Sequence, residues 1–200
     1  MYSKSKKNQS LHPINININT MVGLLKTLMR MRSTNKEPRL LILGLDNSGK
    51  TSILRKLCDE DPTTTNPTQG FNVKTIAHAD LKINVWDIGG QMAIRSFWEN
   101  YLDQTNCLVY VVDSADVRRL DESGVELAKL LNDEKLAGVP VLVFANKQDL
   151  ATAARPDEIG EHLNLAEIRD RRWQIQGCSA TTGDGVAEGL AWAMGNLKQP

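Results

Sequence analysis

The chain has 200 residues, 41% of them hydrophobic and 24% charged, and it carries no net charge at pH 7. That length can bury one core without staples, and no run reaches the ~18 consecutive apolar residues of a spanning helix, which excludes a helical membrane protein. Three cysteines (Cys58, Cys107, Cys178) form no C-x-x-C pair, so neither a disulfide framework nor a structural zinc site is expected and a reducing compartment fits.

The neutral total hides a polarity. Residues 1–39 hold eight basic side chains and one acid, Glu37, which leaves 16 basic against 23 acidic groups in the rest. A basic head on an acidic body suits an anionic surface such as lipid headgroups. Nucleic acid is not the expected partner, because the acidic body repels phosphates and no recognition motif is present. Residues 1–20, with three lysines and an Ile-Asn alternation over 14–19, read as a disordered extension, since a lone short strand has nothing to pair with. Residues 21–35 read as an amphipathic helix. Val22, Leu25 and Met29 share a stripe flanked by Leu24, Leu28 and Met31, while Lys26 and Arg30 point away.

Residues 36–200 read as one domain in which strands and helices alternate. Buried strands are expected at Leu40–Leu43, Asn106–Asp113 and Val139–Phe144, with a last strand at Trp173–Cys178. Phe71–Ala77 and Leu81–Trp86 alternate apolar and polar residues around His78-Ala79-Asp80, which reads as a hairpin. Helices are expected at Lys50–Leu57, Leu120–Leu131, Pro156–Leu163 and Val186–Leu197. Such an order predicts an α/β fold: a mostly parallel six-stranded sheet with one antiparallel hairpin edge, helices on both faces, and ligands beyond the strand C-termini.

The first strand runs into Gly44-Leu45-Asp46-Asn47-Ser48-Gly49-Lys50-Thr51, a complete G-x-x-x-x-G-K-T. Glycines let the backbone curl so that its N–H groups surround a phosphate, with the helix start and Lys50 adding positive charge. Thr51 offers a hydroxyl to Mg²⁺. The loop alone specifies a nucleoside triphosphate, not which one. After the fifth strand, Asn146-Lys147-Gln148-Asp149 presents a carboxylate that matches the N1–H and N2 amino pair of guanine; adenine has no such pair. Lys147 can lie along the base, Asn146 can tie the loop to the phosphate side, and Ser179-Ala180 can offer a backbone N–H to the guanine carbonyl. Trp86-Asp87-Ile88-Gly89-Gly90-Gln91 supplies a third motif. Asp87 can hold Mg²⁺ through a water, the Gly90 N–H can meet the γ-phosphate, and Gln91 can orient the attacking water. Thr68 can give Mg²⁺ a second hydroxyl from a loop that moves with the nucleotide.

GLDNSGKT, PTQGF, WDIGGQ, NKQD and CSA, in this order and spacing, resemble the Arf and Arf-like small GTPases over nearly everything except the first 20 residues. Ras-type relatives usually carry D-T-A-G-Q where this chain has DIGGQ. Within the family, GLLKTLMRM and IRDRRWQIQGCSA look most like the Arf-like 3 branch, with the Arf-like 2 branch as runner-up. The resemblance implies a P-loop small-GTPase fold with GTP or GDP as bound nucleotide and Mg²⁺ as cofactor. It carries nucleotide contacts onto Gly44, Asp46, Asn47, Ser48, Gly49, Lys50, Thr51, Ser52, Thr68, Gly90, Asn146, Lys147, Asp149, Ser179 and Ala180. Metal contacts fall on Thr51, Thr68 and, through water, Asp87; the catalytic glutamine falls on Gln91. Phe71, Trp86 and Tyr101 fall where the family displays an aromatic effector triad.

The resemblance also implies a monomeric cytoplasmic switch with slow hydrolysis, an exchange factor and an activating protein. Its GTP form would engage carriers of lipid-modified cargo, with peripheral membrane contact through the N-terminal helix and a location at the cilium, flagellum or Golgi. A tubulin-folding regulator of the Arf-like 2 type and a coat-recruiting Arf are the alternatives. In this family the hairpin is thought to slide by two residues on GTP binding and expel the N-terminal helix; an even slip keeps every side chain on its own face. Three features depart from the pattern. Neither Met1 nor Met21 is followed by glycine, so the usual lipid anchor cannot form on Gly23. Met92-Ala93 stands where relatives usually carry charge, and the first 20 residues have no family counterpart.

Overall fold

A computed structural model of the protein describes residues 37–78 and 81–198. The readings for residues 1–20 and 21–35, and the hairpin turn at 79–80, lie outside the described residues.

Six strands form one sheet: β1 (Arg39–Leu43), β2 (Phe71–His78), β3 (Leu81–Ile88), β4 (Cys107–Asp113), β5 (Val141–Asn146) and β6 (Trp173–Gly177). Their order is β2-β3-β1-β4-β5-β6. Every neighbouring pair is parallel except β2 with β3, which pair antiparallel from Phe71↔Ile88 to His78↔Leu81. The α/β architecture with a single antiparallel edge is therefore the one the strand-helix alternation predicts.

Among the described residues, five helices join the strands: α1 (Lys50–Leu57), α2 (Met92–Arg95), α3 (Leu120–Leu131), α4 (Pro156–His162) and α5 (Val186–Gly195). They divide between the two faces because side chains alternate along each strand. Leu40, Ile42, Val109, Val111, Leu142 and Phe144 face Ile53 and Leu54 of α1 and Leu190 and Met194 of α5. Leu41, Leu43, Tyr110, Val112, Val141 and Val143 face Leu120, Leu127 and Leu130 of α3 and Ile159 of α4. Central strands buried on both sides read as short continuous apolar runs, and their length and β-branched content mark them as strands.

Boundaries move for local reasons. β5 begins after Pro140, which has no N–H for the ladder. β3 continues two residues past Trp86, because Asp87 and Ile88 still pair with Asn72 and Phe71. The four-residue α2 and the 3₁₀ turn Trp98–Tyr101 are too short to leave a periodic signal.

Candidate functional site

The loop between β1 and α1 takes its shape from two glycines. Gly44 has φ 140° and a Cβ there would lie 2.2 Å from the Val111 carbonyl oxygen of β4. Gly49 has φ 94° and a Cβ there would lie 2.2 Å from Asn146 Nδ2. Side chains at either point would push the loop off the sheet. Lys50 folds back under the loop, its ammonium donating to the carbonyls of Gly44 (2.9 Å) and Leu45 (2.7 Å). Burial lowers its pKa from 10.5 to about 8, with Asp87 and Asp46 opposing the shift.

Three oxygen-bearing side chains from separate segments meet beside it. Thr51 Oγ1 donates to Asp87 Oδ2 at 2.6 Å, and the hydroxyls of Thr51 and Thr68 lie 2.8 Å apart. Since the one Thr51 proton goes to Asp87, Thr68 is the donor of that pair. Asn72 Nδ2 adds a longer contact to Asp87 Oδ2, at 3.4 Å. Asp87 is fully buried, its Oδ1 has no hydrogen-bond partner among the described residues, and burial pushes its carboxyl pKa up. A buried carboxylate with one oxygen lacking a donor, together with the Thr51 hydroxyl on its other oxygen and the Thr68 hydroxyl next to that, is a hard oxygen set that suits Mg²⁺.

The turn after β3 packs directly on this loop. A Cβ at Gly90 would lie 2.4 Å from the Gly44 carbonyl oxygen, so only glycine fits there. The Gly90 carbonyl accepts from the Asp46 N–H at 3.1 Å. Gly89 donates to Gly70 at 2.9 Å and accepts from the indole N–H of buried Trp98 at 2.9 Å. Gln91 is the half-buried N-cap residue that precedes α2. A cleft of about 280 Å³ is lined by Asp46, Asn47, Gly49, Lys50, Thr51, Ser52, Thr68, Gly90, Gln91 and Lys147, together with Thr65, Asn66 and Pro67. The last three were not anticipated, because a polar loop without a fixed motif gives no signal before it folds over a site.

At the other end, buried Asn146 does what its motif suggests. Its Nδ2 donates to the Ser48 carbonyl at 2.8 Å, which fastens the base loop to the phosphate loop. Lys147 has φ 68°, and its ammonium donates to Asp113 Oδ2 at 2.6 Å. Asp149 is exposed and is not among the residues that line that cleft. The segment Ser179-Ala180 differs from expectation. The Ala180 N–H donates to Asn146 Oδ1 at 3.0 Å and the Ser179 N–H to the Asp184 carbonyl at 2.9 Å, so both already have partners within the protein.

Phe71, Trp86 and Tyr101 do meet. Phe71 stacks on Trp86 at 5.5 Å between centroids, and Tyr101 lies 5.7 Å from Phe71 and 6.4 Å from Trp86. Arg39 sits 4.1 Å over the Trp86 ring, and Phe71 remains 49% exposed. Arg95 and Arg119 are the residues that sequence reasoning missed. Both pair with Asp46, at 3.3 and 3.0 Å, across 49 and 73 residues of chain that no local motif spans.

The protein-family model for the ADP-ribosylation factor family matches residues 24–197. ADP-ribosylation factor-like protein 3 of Chlamydomonas reinhardtii is 54% identical, over 88% of this chain and 100% of that one. ADP-ribosylation factor-like protein 2 of Arabidopsis thaliana is 50% identical, over 88% and 96%. A solved structure of the Arl6 BBS3 small GTPase from Trypanosoma brucei, with the bound nucleotide analogue GppNp, superposes with a TM-score of 0.73 at 34% identity, covering 79% of this chain and 95% of that one. Matches of this extent over the segment that carries the site show that the chain belongs to the ADP-ribosylation factor family, as an Arf-like small GTPase that binds GTP and GDP with Mg²⁺ and hydrolyses GTP to GDP.

Proposed function

We propose that the protein is a GTP/GDP switch whose GTP form binds carriers of lipid-modified cargo and releases that cargo, at membranes of the cilium, flagellum or Golgi. The observation that carries the reading is the meeting of three segments at one point: Thr68 reaches Thr51, and Gly90 reaches Asp46. Loops held by so few polar contacts respond to whether a γ-phosphate is there to bind them. Lys50 and the loop N–H groups hold the phosphates, Asp149 reads guanine, Asn146 keeps the two loops in register, and Gln91 orients the attacking water. Thr51, Thr68 and, through water, Asp87 would hold Mg²⁺, which supplies charge neutralisation between the outer phosphates. Unaided turnover is slow, on the scale of 10⁻⁴ s⁻¹ known for Ras, and an activating protein accelerates it.

The exposed Phe71 face, with Trp86 and Tyr101 behind it, is the partner surface that changes with nucleotide. Among the described residues β2 is an edge strand paired with β3 alone, so a two-residue slip of the hairpin changes its reach without turning its side chains over. The basic amphipathic segment 21–35 then serves as the membrane contact. Two similar identities, 54% to an Arf-like 3 and 50% to an Arf-like 2 protein, favour keeping tubulin folding as the second reading.

The test is a pull-down from cell extract with Gln91→Leu loaded with GTP, beside a GDP-loaded control. Lipid-binding carriers recovered only with GTP support the proposal, whereas tubulin-folding factors support the second reading. Phosphate release in the presence of an activating protein should fall by orders of magnitude in Gln91→Leu; an unchanged rate removes Gln91 from its role.

A further inference from the structure

The turn that carries Gln91 is held in an unusual way. None of the four residues of α2 is fully buried and Met92 is 76% exposed, so apolar packing holds the segment mainly through half-buried Ile94. Arg95 adds a polar anchor, with a side chain only 8% exposed. Its guanidinium reaches three parts of the molecule at once. Nε donates to the Gly90 carbonyl at 2.9 Å, one terminal nitrogen to Glu122 of α3 at 2.5 Å, and the other to Asp46 of the phosphate loop at 3.3 Å. Glu126, one turn further along α3, lies 4.0 Å away. Asp46 is gripped from its other side by Arg119, through its carboxylate at 3.0 Å and its carbonyl at 3.2 Å.

The Gly90 carbonyl belongs to the peptide plane that leads into Gln91. With the Asp46 N–H and Arg95 Nε both donating to that oxygen, the plane cannot rotate without losing two hydrogen bonds, one of them charged. Glu122 in turn holds Arg95 from a helix packed on the sheet, so the glutamine backbone is referred to a rigid element rather than to solvent.

We propose that Arg95 is a positioning residue for GTP hydrolysis, fixing the Gly90–Gln91 peptide against Asp46 and α3 so that Gln91 meets the attacking water correctly. The proposal rests on the assignment of Gln91 above, and it makes α3 a route by which a bound protein tunes turnover: anything that draws Glu122 or Glu126 away from Arg95 loosens the glutamine. Distortions of this size at a reacting centre have large kinetic effects because hydrolysis here is mostly positioning.

Single-turnover GTP hydrolysis, fluorescent-nucleotide affinity and thermal unfolding are measured on the full chain for wild type, Arg95→Ala, Gln91→Leu and the double variant. Arg95→Ala is expected to slow hydrolysis by about tenfold with nucleotide affinity changed by less than about threefold, and to add nothing on top of Gln91→Leu. An unchanged rate overturns the proposal, as does a loss of affinity equal to the loss of rate. So does a slowing that multiplies with that of Gln91→Leu, since a merely structural arginine would act independently of the glutamine. Should Arg95→Ala not fold, Glu122→Gln removes only the outer partner and is expected to slow hydrolysis by a smaller factor, an unchanged rate again overturning the link. A Gln91→Leu chain that hydrolyses GTP at the wild-type rate refutes the underlying reading of Gln91, whereas an effect of Gln91→Leu without one of Arg95→Ala refutes this proposal alone.

Discussion

β5 and β2 belong to one sheet and live in opposite surroundings. All six β5 residues are buried, whereas in β2 between Phe71 and Ala77 only Ile76 is. β5 lies between two parallel neighbours and β2 forms the edge, paired among the described residues with β3 alone. The difference continues into the loops they carry. β5 ends at Asn146, whose amide joins Ser48 to Ala180 inside the protein. β2 begins just after Thr68 and Gly70, which are tied by a shared hydroxyl contact and one backbone bond. The end of the sheet that carries Asn146 is thus anchored by burial, and the edge that carries Thr68 and Gly70 by a few polar contacts. Local stability follows the same division, high where apolar contacts are dense and low where they are few.

The largest effect should come from the loop that β5 carries, at Asp149, the residue proposed to read guanine. Asp149→Asn is expected to invert the preference of guanine over xanthine nucleotides by roughly 10⁴-fold, because a site built for a hydrogen-bonded pair rejects a mismatched base. Competition between GTP and XTP for a fluorescent nucleotide measures it. Next comes Phe144→Ala in β5, where a side chain 1% exposed leaves a cavity. The expected cost is about 3–5 kcal/mol in a denaturant titration.

A smaller effect sharpens the electrostatics of the phosphate end. The Lys50 ammonium is held at about 8, and a bound triphosphate favours its charged form. Nucleotide-free protein therefore loses that proton as the pH rises through 8, while the complex keeps it, so affinity should fall roughly tenfold between pH 7.5 and 9. Proton uptake on binding in calorimetry with two buffers checks the sign. Without nucleotide the same group acts oppositely on folding: above pH 8 the unfolded chain binds more protons at this lysine, so its share of stability rises with pH. The smallest stability change belongs to the loose edge. Phe71→Ala, which removes ring contacts to Trp86 and Tyr101 from a half-exposed side chain, should cost about 1 kcal/mol while abolishing GTP-dependent partner capture.

Much of the nucleotide site was legible because each piece is local. G-x-x-x-x-G-K-T after a strand, N-K-x-D after another and D-x-G-G-Q after a third are short chain segments whose chemistry depends on the residues and on the strand ends that hold them. The apolar runs gave the sheet and its two-sided burial for the same reason: alternation at period two and an uninterrupted hydrophobic strand are properties of a few consecutive residues. Where the sequence was silent, the contact was distant. Nothing near Arg95 announces that its guanidinium will span Gly90, Asp46 and Glu122, because those partners come from three elements that only the folded sheet brings within 3.3 Å. The same holds for Ala180, whose N–H goes to Asn146, and for Thr65–Pro67 lining the cleft. The sequence by itself thus determined which chemical groups would stand at the strand ends, since backbone preference and side-chain chemistry are carried residue by residue. Which of those groups hold one another in place was decided by tertiary structure, because burial and hydrogen bonding are set by neighbours that chain order does not specify.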